Sequence, residues 1–239
     1  MNNEPNKVRF LECEKRWFFW ILTFIGGFYG AYTYSVRGGI FCNAQTANVV
    51  LFSMAIGTGD WNRALYLILP ISSYFLGTIV SEIFEKVKIF HHLRWDTVLV
   101  GIEIIIVIIL GALPESAPDQ ICHVSLNFLC SMRFNTYRQN EGIPMSTVFV
   151  TNHIRQTGSC FVKSLRDKDP ESTRKWKMHG IMIVLFLMGG IASSLLCTYL
   201  GLHTIWCTLP VLIFTFVKLL IADCTYEKEL LGTVVPRGH

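Results

Sequence analysis

Apolar stretches close to twenty residues long recur along this chain, separated by short polar connections. Six of them, residues 17–34, 62–84, 95–113, 120–137, 178–199 and 203–222, predict transmembrane helices. At about 1.5 Å per residue, such a stretch crosses the roughly 30 Å of hydrocarbon in a bilayer. Two further stretches, 46–58 and 151–163, are apolar but shorter. As helices they cover only about 18–20 Å, so they reach part-way and read as re-entrant half-helices. Tryptophan marks the boundaries: Trp17, Trp20, Trp61, Trp95, Trp176 and Trp206 lie at or near segment starts, where amphipathic rings favour the water interface.

Composition agrees with that pattern. The chain is 51% hydrophobic and only 16% charged, against about 25% charged in an ordinary soluble domain, and its mean hydropathy is +0.42. A soluble enzyme, a disulfide scaffold and a nucleic-acid module are thereby excluded, and a lipid bilayer becomes the expected surrounding. The net charge of +4 is too small to argue for nucleic acid. The 8 cysteines are scattered, with neither a CxxC nor a Cys/His cluster at metal-ligand spacing, so no metal or cofactor is expected and the thiols read as small packing groups. Residues 1–16 mix acids and bases ahead of a membrane-length segment, unlike a cleavable signal sequence. Residues 235–239, Val-Pro-Arg-Gly-His, resemble a protease-site remnant and carry no functional reading.

Lys and Arg set the orientation. Lys7, Arg9, Lys15 and Arg16 precede the first span, Lys86, Lys88 and Arg94 follow the second, and Lys163, Arg166, Lys168, Arg174, Lys175 and Lys177 precede the fifth. Residues 114–119 and 201–202 have none. If both short segments return to the side they entered from, every basic connection falls in the cytoplasm, with both termini inside. Eight spans would instead put the 86–94 connection outside, against the rule. The expectation is therefore an all-α polytopic protein: a cytoplasmic segment (1–16), two halves (17–113 and 120–222), each of three spans and one re-entrant segment, and a tail (223–239).

The halves repeat an order of parts: span, polar loop, short helix, span, span. Gly30 and Thr46-Ala47-Asn48 in the first correspond to Asn135 and Thr151-Asn152-His153 in the second. Small residues also recur, as Ser73/Gly77/Ser81 and as Gly190/Ser194/Thr198. Such faces let helix backbones approach closely, within a protomer or across a homodimer. A three-span unit starts its copy from the opposite side, so a 3+3 inverted repeat is expected, an architecture of channels and transporters.

The stretch Gly27-Phe28-Tyr29-Gly30-Ala31, followed by Phe41-Cys42-Asn43-Ala44-Gln45-Thr46-Ala47-Asn48, resembles the YoaK family of bacterial inner-membrane proteins. The second copy is Ser131-Met132-Arg133-Phe134-Asn135-Thr136-Tyr137-Arg138, then Thr151-Asn152-His153. The resemblance spans nearly the whole chain and implies the bacterial inner membrane as location. It departs at Gly30, where that family carries Asp, at Arg133-Phe134 in place of Gln-Asn, and at Ala47 in place of Gly. The family is one of unknown function, so the resemblance implies no activity.

Asn43, Thr46 and Asn48 are residue types that cap a helix N-terminus, and Thr151 and Asn152 are their equivalents in the second copy. Residues 35–45, extended, reach at most about 36 Å, enough to arrive at the midplane. Two half-helices entering from opposite faces would bring their positive ends together there and favour anions or polar solute oxygens. The solute-contact expectation covers Asn43, Thr46, Asn48, Asn135, Thr151, Asn152 and His153; the alternative for the polar residues is capping and packing alone. Glu103 lies in the middle of the third span, where a charge costs about 2.5–3.5 kcal/mol or more. It is expected to be protonated, paired with Arg133 or Lys218, or facing a cavity. Arg37 and Arg133 flank the interrupted regions as pore charges, and Arg138 reads as an interfacial residue. No HExxH, GxSxG, GxxxxGK or nucleotide fingerprint occurs, so an enzyme is not expected. The sequence points to a channel or secondary transporter for a small polar or anionic solute, with a non-conducting membrane-embedded binding or assembly protein as the alternative.

Overall fold

The structure, a computed structural model, describes residues 10–86, 93–231, 234 and 236. Lys7, Arg9, Lys88, His91 and His92, and residues 235 and 237–239 of the tail, lie outside the described residues. The described residues are all-α apart from one hairpin of two two-residue strands. Its helices are α1 (Arg16–Val36), α2 (Gln45–Gly57), α3 (Trp61–Lys86), α4 (Trp95–Gly111), α5 (Asp119–Thr136), α6 (Thr151–Asp167), α7 (Pro170–Leu200) and α8 (Leu209–Cys224). Strands β1 (Gln139–Asn140) and β2 (Ile143–Pro144) pair antiparallel through Glu141 and Gly142, both at positive φ (47° and 82°). That is the backbone a two-residue hairpin turn requires.

Each expected segment holds one of these helices, with three differences in extent: the second short segment, expected as apolar over 151–163, is an amphipathic helix of 17 residues running to Asp167, about 25 Å long, and the fifth and sixth spans also differ. The fifth begins earlier, because Asp169 accepts from the Glu171 and Ser172 amides and Pro170 fits the first turn. The helix therefore starts eight residues before position 178, in polar sequence that hydropathy alone assigns to a loop. The sixth opens as a 3-10 segment, Gly201–Thr208, before α8 begins at Leu209. Gly201 takes φ 52° there, which a residue with a Cβ adopts reluctantly.

The most extensive packing joins α1 to α7 and α3 to α5; α6 folds back on α7, α2 lies on α3, and α4 lies on α8. Glycine permits the two main contacts. A Cβ at Gly189 would stand 1.9 Å from the Phe24 carbonyl oxygen, and one at Gly27 would stand 2.0 Å from that of Phe186. On α3, a Cβ at Gly77 would meet the Phe128 oxygen of α5 at 2.4 Å. Ser73 and Ser81 are buried beside it, donating to the carbonyls of Val124 and Met132. The face of α7 corrects the expected one by a single residue. Gly189, Ser193 and Cys197 are buried, whereas Ser194 and Thr198 are exposed and Gly190 is half-buried. Residues four apart keep the same spacing on either register, so the pattern cannot choose between them.

Among the described residues two helical stretches, Trp61–Phe84 and Pro170–Cys224, are long and apolar enough to cross a membrane. Only 33% and 22% of their most apolar windows are buried. The core helix of a water-soluble protein would bury most of such a window, so the outward apolar faces suit lipid. At the N-terminal end of the bundle, charged groups tie the chain ends together. Arg94 lies 3.5 Å from Asp223 and 3.7 Å from Glu227, the Thr97 hydroxyl donates to Asp223, and the Glu12 amide donates to Glu227. Burial pushes the Glu227 carboxyl above its ordinary value. Burial acts the same way on Glu12, but bonds from Lys15 and Tyr226 outweigh it and hold that carboxyl below its ordinary value.

Candidate functional site

Two of the interior gatherings of polar side chains hold the expected residues Glu103, Arg133, Asn43 and Asn48. The first is made by α1, α4 and α5. The Tyr29 hydroxyl donates to Glu103 Oε1 at 2.9 Å, and Arg133 Nη1 reaches the same oxygen at 3.2 Å. Arg133 Nη2 donates to the Leu22 carbonyl, and its guanidinium lies 6.0 Å from the Tyr29 ring centroid. All three side chains are fully buried. Of the two expected partners for Glu103, the fold therefore brings Arg133. Lys218 instead lies over the rings of Trp17 and Phe214. A carboxylate and a guanidinium removed from water together must offset a large desolvation cost by their own contact and their remaining hydrogen bonds. Here Glu103 Oε2 and Arg133 Nε have no hydrogen-bond partner among the described residues.

The second gathering surrounds the N-terminus of α2. Asn43 donates to the carbonyl of Gly26, halfway along α1, and occupies the space a Cβ at Gly30 would need, with its Nδ2 at 2.9 Å. Gly30 therefore stands where a larger residue would have to displace Asn43. Asn48 is fully buried and donates from Nδ2 to the Phe41 carbonyl at 2.8 Å. Gln45 donates to Asn127 of α5, which in turn donates to the His123 carbonyl. The loop before α6 arrives at the same level from the other half: the Thr147 carbonyl oxygen lies 2.3 Å from where a Cβ on Gly26 would be.

Capping is where the structure departs from expectation. The N-cap of α2 is Ala44 and that of α6 is Val150, and neither helix has a side-chain cap. Thr46 and Thr151 are exposed, whereas Asn43 and Asn48 are buried. Asn152 is half-buried and accepts from Arg155 one turn along α6. Asn135 lies at the end of α5, in contact with Ser81, Glu82 and Arg138, and not with Asn43 or Asn48. Arg37 is buried at the end of α1, 3.5 Å from Asp119 and 3.4 Å from the Tyr32 hydroxyl. His153 is buried against Ser146 and His179, its Nδ1 2.8 Å from that of His179 and its Nε2 2.7 Å from the Ser146 carbonyl. A carbonyl only accepts, so His153 carries its proton on Nε2 and His179 donates from Nδ1.

Sequence reasoning missed Gln45, Asn127, Tyr29 and His179. One signal for Asn127 was present: His123, Asn127 and Ser131 recur every four residues along α5, a polar stripe in an otherwise apolar segment. Tyr29 and His179 carried no such signal, because only the fold brings Tyr29 of α1 to Glu103 of α4 and packs α6 on α7. Among the described residues no group of three or more His, Cys, Asp or Glu side chains could hold a metal ion.

No curated protein matches this chain, and no solved structure matches it. A family model does match, over residues 18–218. That span takes in every helix of the bundle except the first two residues of α1 and the far end of α8, together with both polar gatherings, and the chain belongs to the family described as a protein of unknown function, DUF1275.

Proposed function

We propose that this protein is a multi-pass membrane channel or secondary transporter for a small polar or anionic solute, with the solute site at mid-membrane beside the start of α2. The observation that carries this reading is the meeting of both interrupted segments at Gly26. With α1 laid across the bilayer, Gly26 lies about halfway through it. Non-helical backbone at that depth is tolerated only within protein or beside a water-filled path.

In this reading α1, α3, α4, α5, α7 and α8 are six spans, and α2 and α6 are re-entrant. Exchange of the halves supports an inverted repeat: α1 on α7 corresponds to α5 on α3, α2 on α3 to α6 on α7, and α4 on α8 to itself. The exposed side of α6 carries Ile154, Phe161, Val162 and Leu165 together with Arg155, Lys163 and Arg166, against inward His153 and Cys160, so this helix is amphipathic where α2 is apolar. Lys and Arg place both termini in the cytoplasm. The YoaK resemblance, compatible with the family, adds the bacterial inner membrane. Solute contacts narrow to Asn43, Asn48 and Gln45, since Thr46 and Thr151 are exposed. No enzymatic step is proposed.

The test is uptake of a panel of small acids, amides and polyols into proteoliposomes by wild type and Asn48→Leu. The expected outcome is uptake of at least one panel member that the variant loses while remaining folded. A folded wild type that moves none of the panel would favour the non-conducting binding or assembly protein.

A further inference from the structure

Two buried amide oxygens near the start of α2 have no partner among the described residues: Oδ1 of Asn48 and Oε1 of Gln45. The orientation of each amide is determined by its neighbours. The Phe41 carbonyl only accepts, so Asn48 presents its NH2 there and leaves Oδ1 free. The His123 carbonyl only accepts, so Asn127 donates to it from Nδ2 and takes the Gln45 NH2 on Oδ1, which leaves Gln45 Oε1 free. Side chains on a helix lean toward its N-terminus. Asn48, bonded to a carbonyl in the loop that leads into α2, lies back over the first turn. That turn has no side-chain cap, and the amides of Gln45, Thr46 and Ala47 have no intrahelical acceptor. A 13-residue helix thus offers donors and the positive end of its dipole, beside two acceptors, one of them on a fully buried side chain.

We propose that this place binds a small carboxylate bearing a hydroxyl on the adjacent carbon. Its carboxylate would take the first-turn N–H groups of α2, and its hydroxyl would donate to Gln45 Oε1. An inorganic anion that carries no proton, such as chloride or nitrate, satisfies the donors and leaves both acceptors unpaired. An amino acid would bring an ammonium for which the gathering holds no free carboxylate, because Glu103 is joined to Arg133. A neutral hydroxyl meets both requirements. The proposal rests on the solute-site reading above and specifies the class of solute.

The test is isothermal titration of the purified full chain in lipid nanodiscs with glycolate and with acetate, which lacks the hydroxyl. Glycolate should bind about tenfold tighter or more, the loss expected when a buried acceptor goes without its donor. Gln45→Leu should bring the two affinities within about twofold while acetate still binds. Should that variant fail to fold, Asn48→Asp takes its place, and its negative charge should weaken glycolate by about tenfold or more. Equal affinities in wild type, no saturable glycolate binding, a preference retained by folded Gln45→Leu, or wild-type glycolate affinity in folded Asn48→Asp would each overturn the proposal. Binding is read without a gradient. Glycolate that binds but is not carried would therefore count against transport alone, and uptake of another solute without glycolate binding would count against this site alone.

Discussion

Replacing Glu103 by Leu leaves the Arg133 guanidinium fully buried with its nearest anion gone. Glu103 Oε1 is the shared acceptor for Arg133 at 3.2 Å and Tyr29 at 2.9 Å, so one substitution removes an ion pair and a hydrogen bond together. Breaking a buried pair from one side costs about 3–5 kcal/mol, because the remaining charge has neither partner nor water. Arg133→Met should cost a similar amount by stranding the carboxylate. The double variant Glu103→Leu/Arg133→Met removes both charges at little change in volume, and such replacements are commonly neutral or stabilising by about 1–4 kcal/mol. The two single costs should therefore exceed the double cost by about 3 kcal/mol or more. Denaturant unfolding of the four proteins in one detergent, followed by tryptophan fluorescence, measures this. A coupling below about 1 kcal/mol would refute the reasoning, since charges that close in a dry interior cannot be independent.

Gly189→Leu and Gly77→Leu should each destabilise the folded monomer by about 1–3 kcal/mol or more, since each forces apart helices in backbone contact; unchanged melting with dissociation of an oligomer would relocate the contact to a subunit interface. Glu12 is held below the ordinary 4.5, so its contribution is present above that pH and lost as pH falls through the lowered value. Glu12→Gln should accordingly melt earlier than wild type at pH 7, with the gap closing in acid. Glu227 is held above 4.5, so wild type loses stability as pH rises through the raised value, and Glu227→Gln should flatten that part of a melting-against-pH profile. Single cysteines at positions 60, 116 and 202 on a cysteine-free background should react with an impermeant reagent from outside the cell, and one at 90 only after permeabilisation. Labelling of position 90 from outside would replace the re-entrant arrangement with eight spans.

Much of the candidate site was readable in residue types without being readable as a site. Glu103 stood out because a carboxylate in the run Gly101-Ile102-Glu103-Ile104-Ile105 is costly in any apolar surrounding, but its partner lay thirty positions away on α5. Asn43 and Asn48 were legible as polar groups at the start of a short helix. Thr46, between them, looked equivalent and is exposed, because a helix turns about 100° per residue and only some of its first-turn positions meet α1 and α5. The expected caps are missing because Asn43 and Asn48 spend their amide NH2 groups on the Gly26 and Phe41 carbonyls, and neither accepts from a first-turn amide of α2.

Hydropathy and length by themselves determined the helical class and the part of the chain in which each helix lies, though not where α6, α7 and α8 begin or end, because an apolar run hides its backbone polar groups most simply by bonding them along a helix. They also carried the order of parts in the two halves. Which helices touch, and through which residues, was decided only in three dimensions. Gly189 in place of Gly190, Arg133 in place of Lys218, and the meeting of Asn43 and Thr147 at Gly26 all depend on rotation and depth. A linear pattern records the spacing along one helix and carries no angle or depth relative to another.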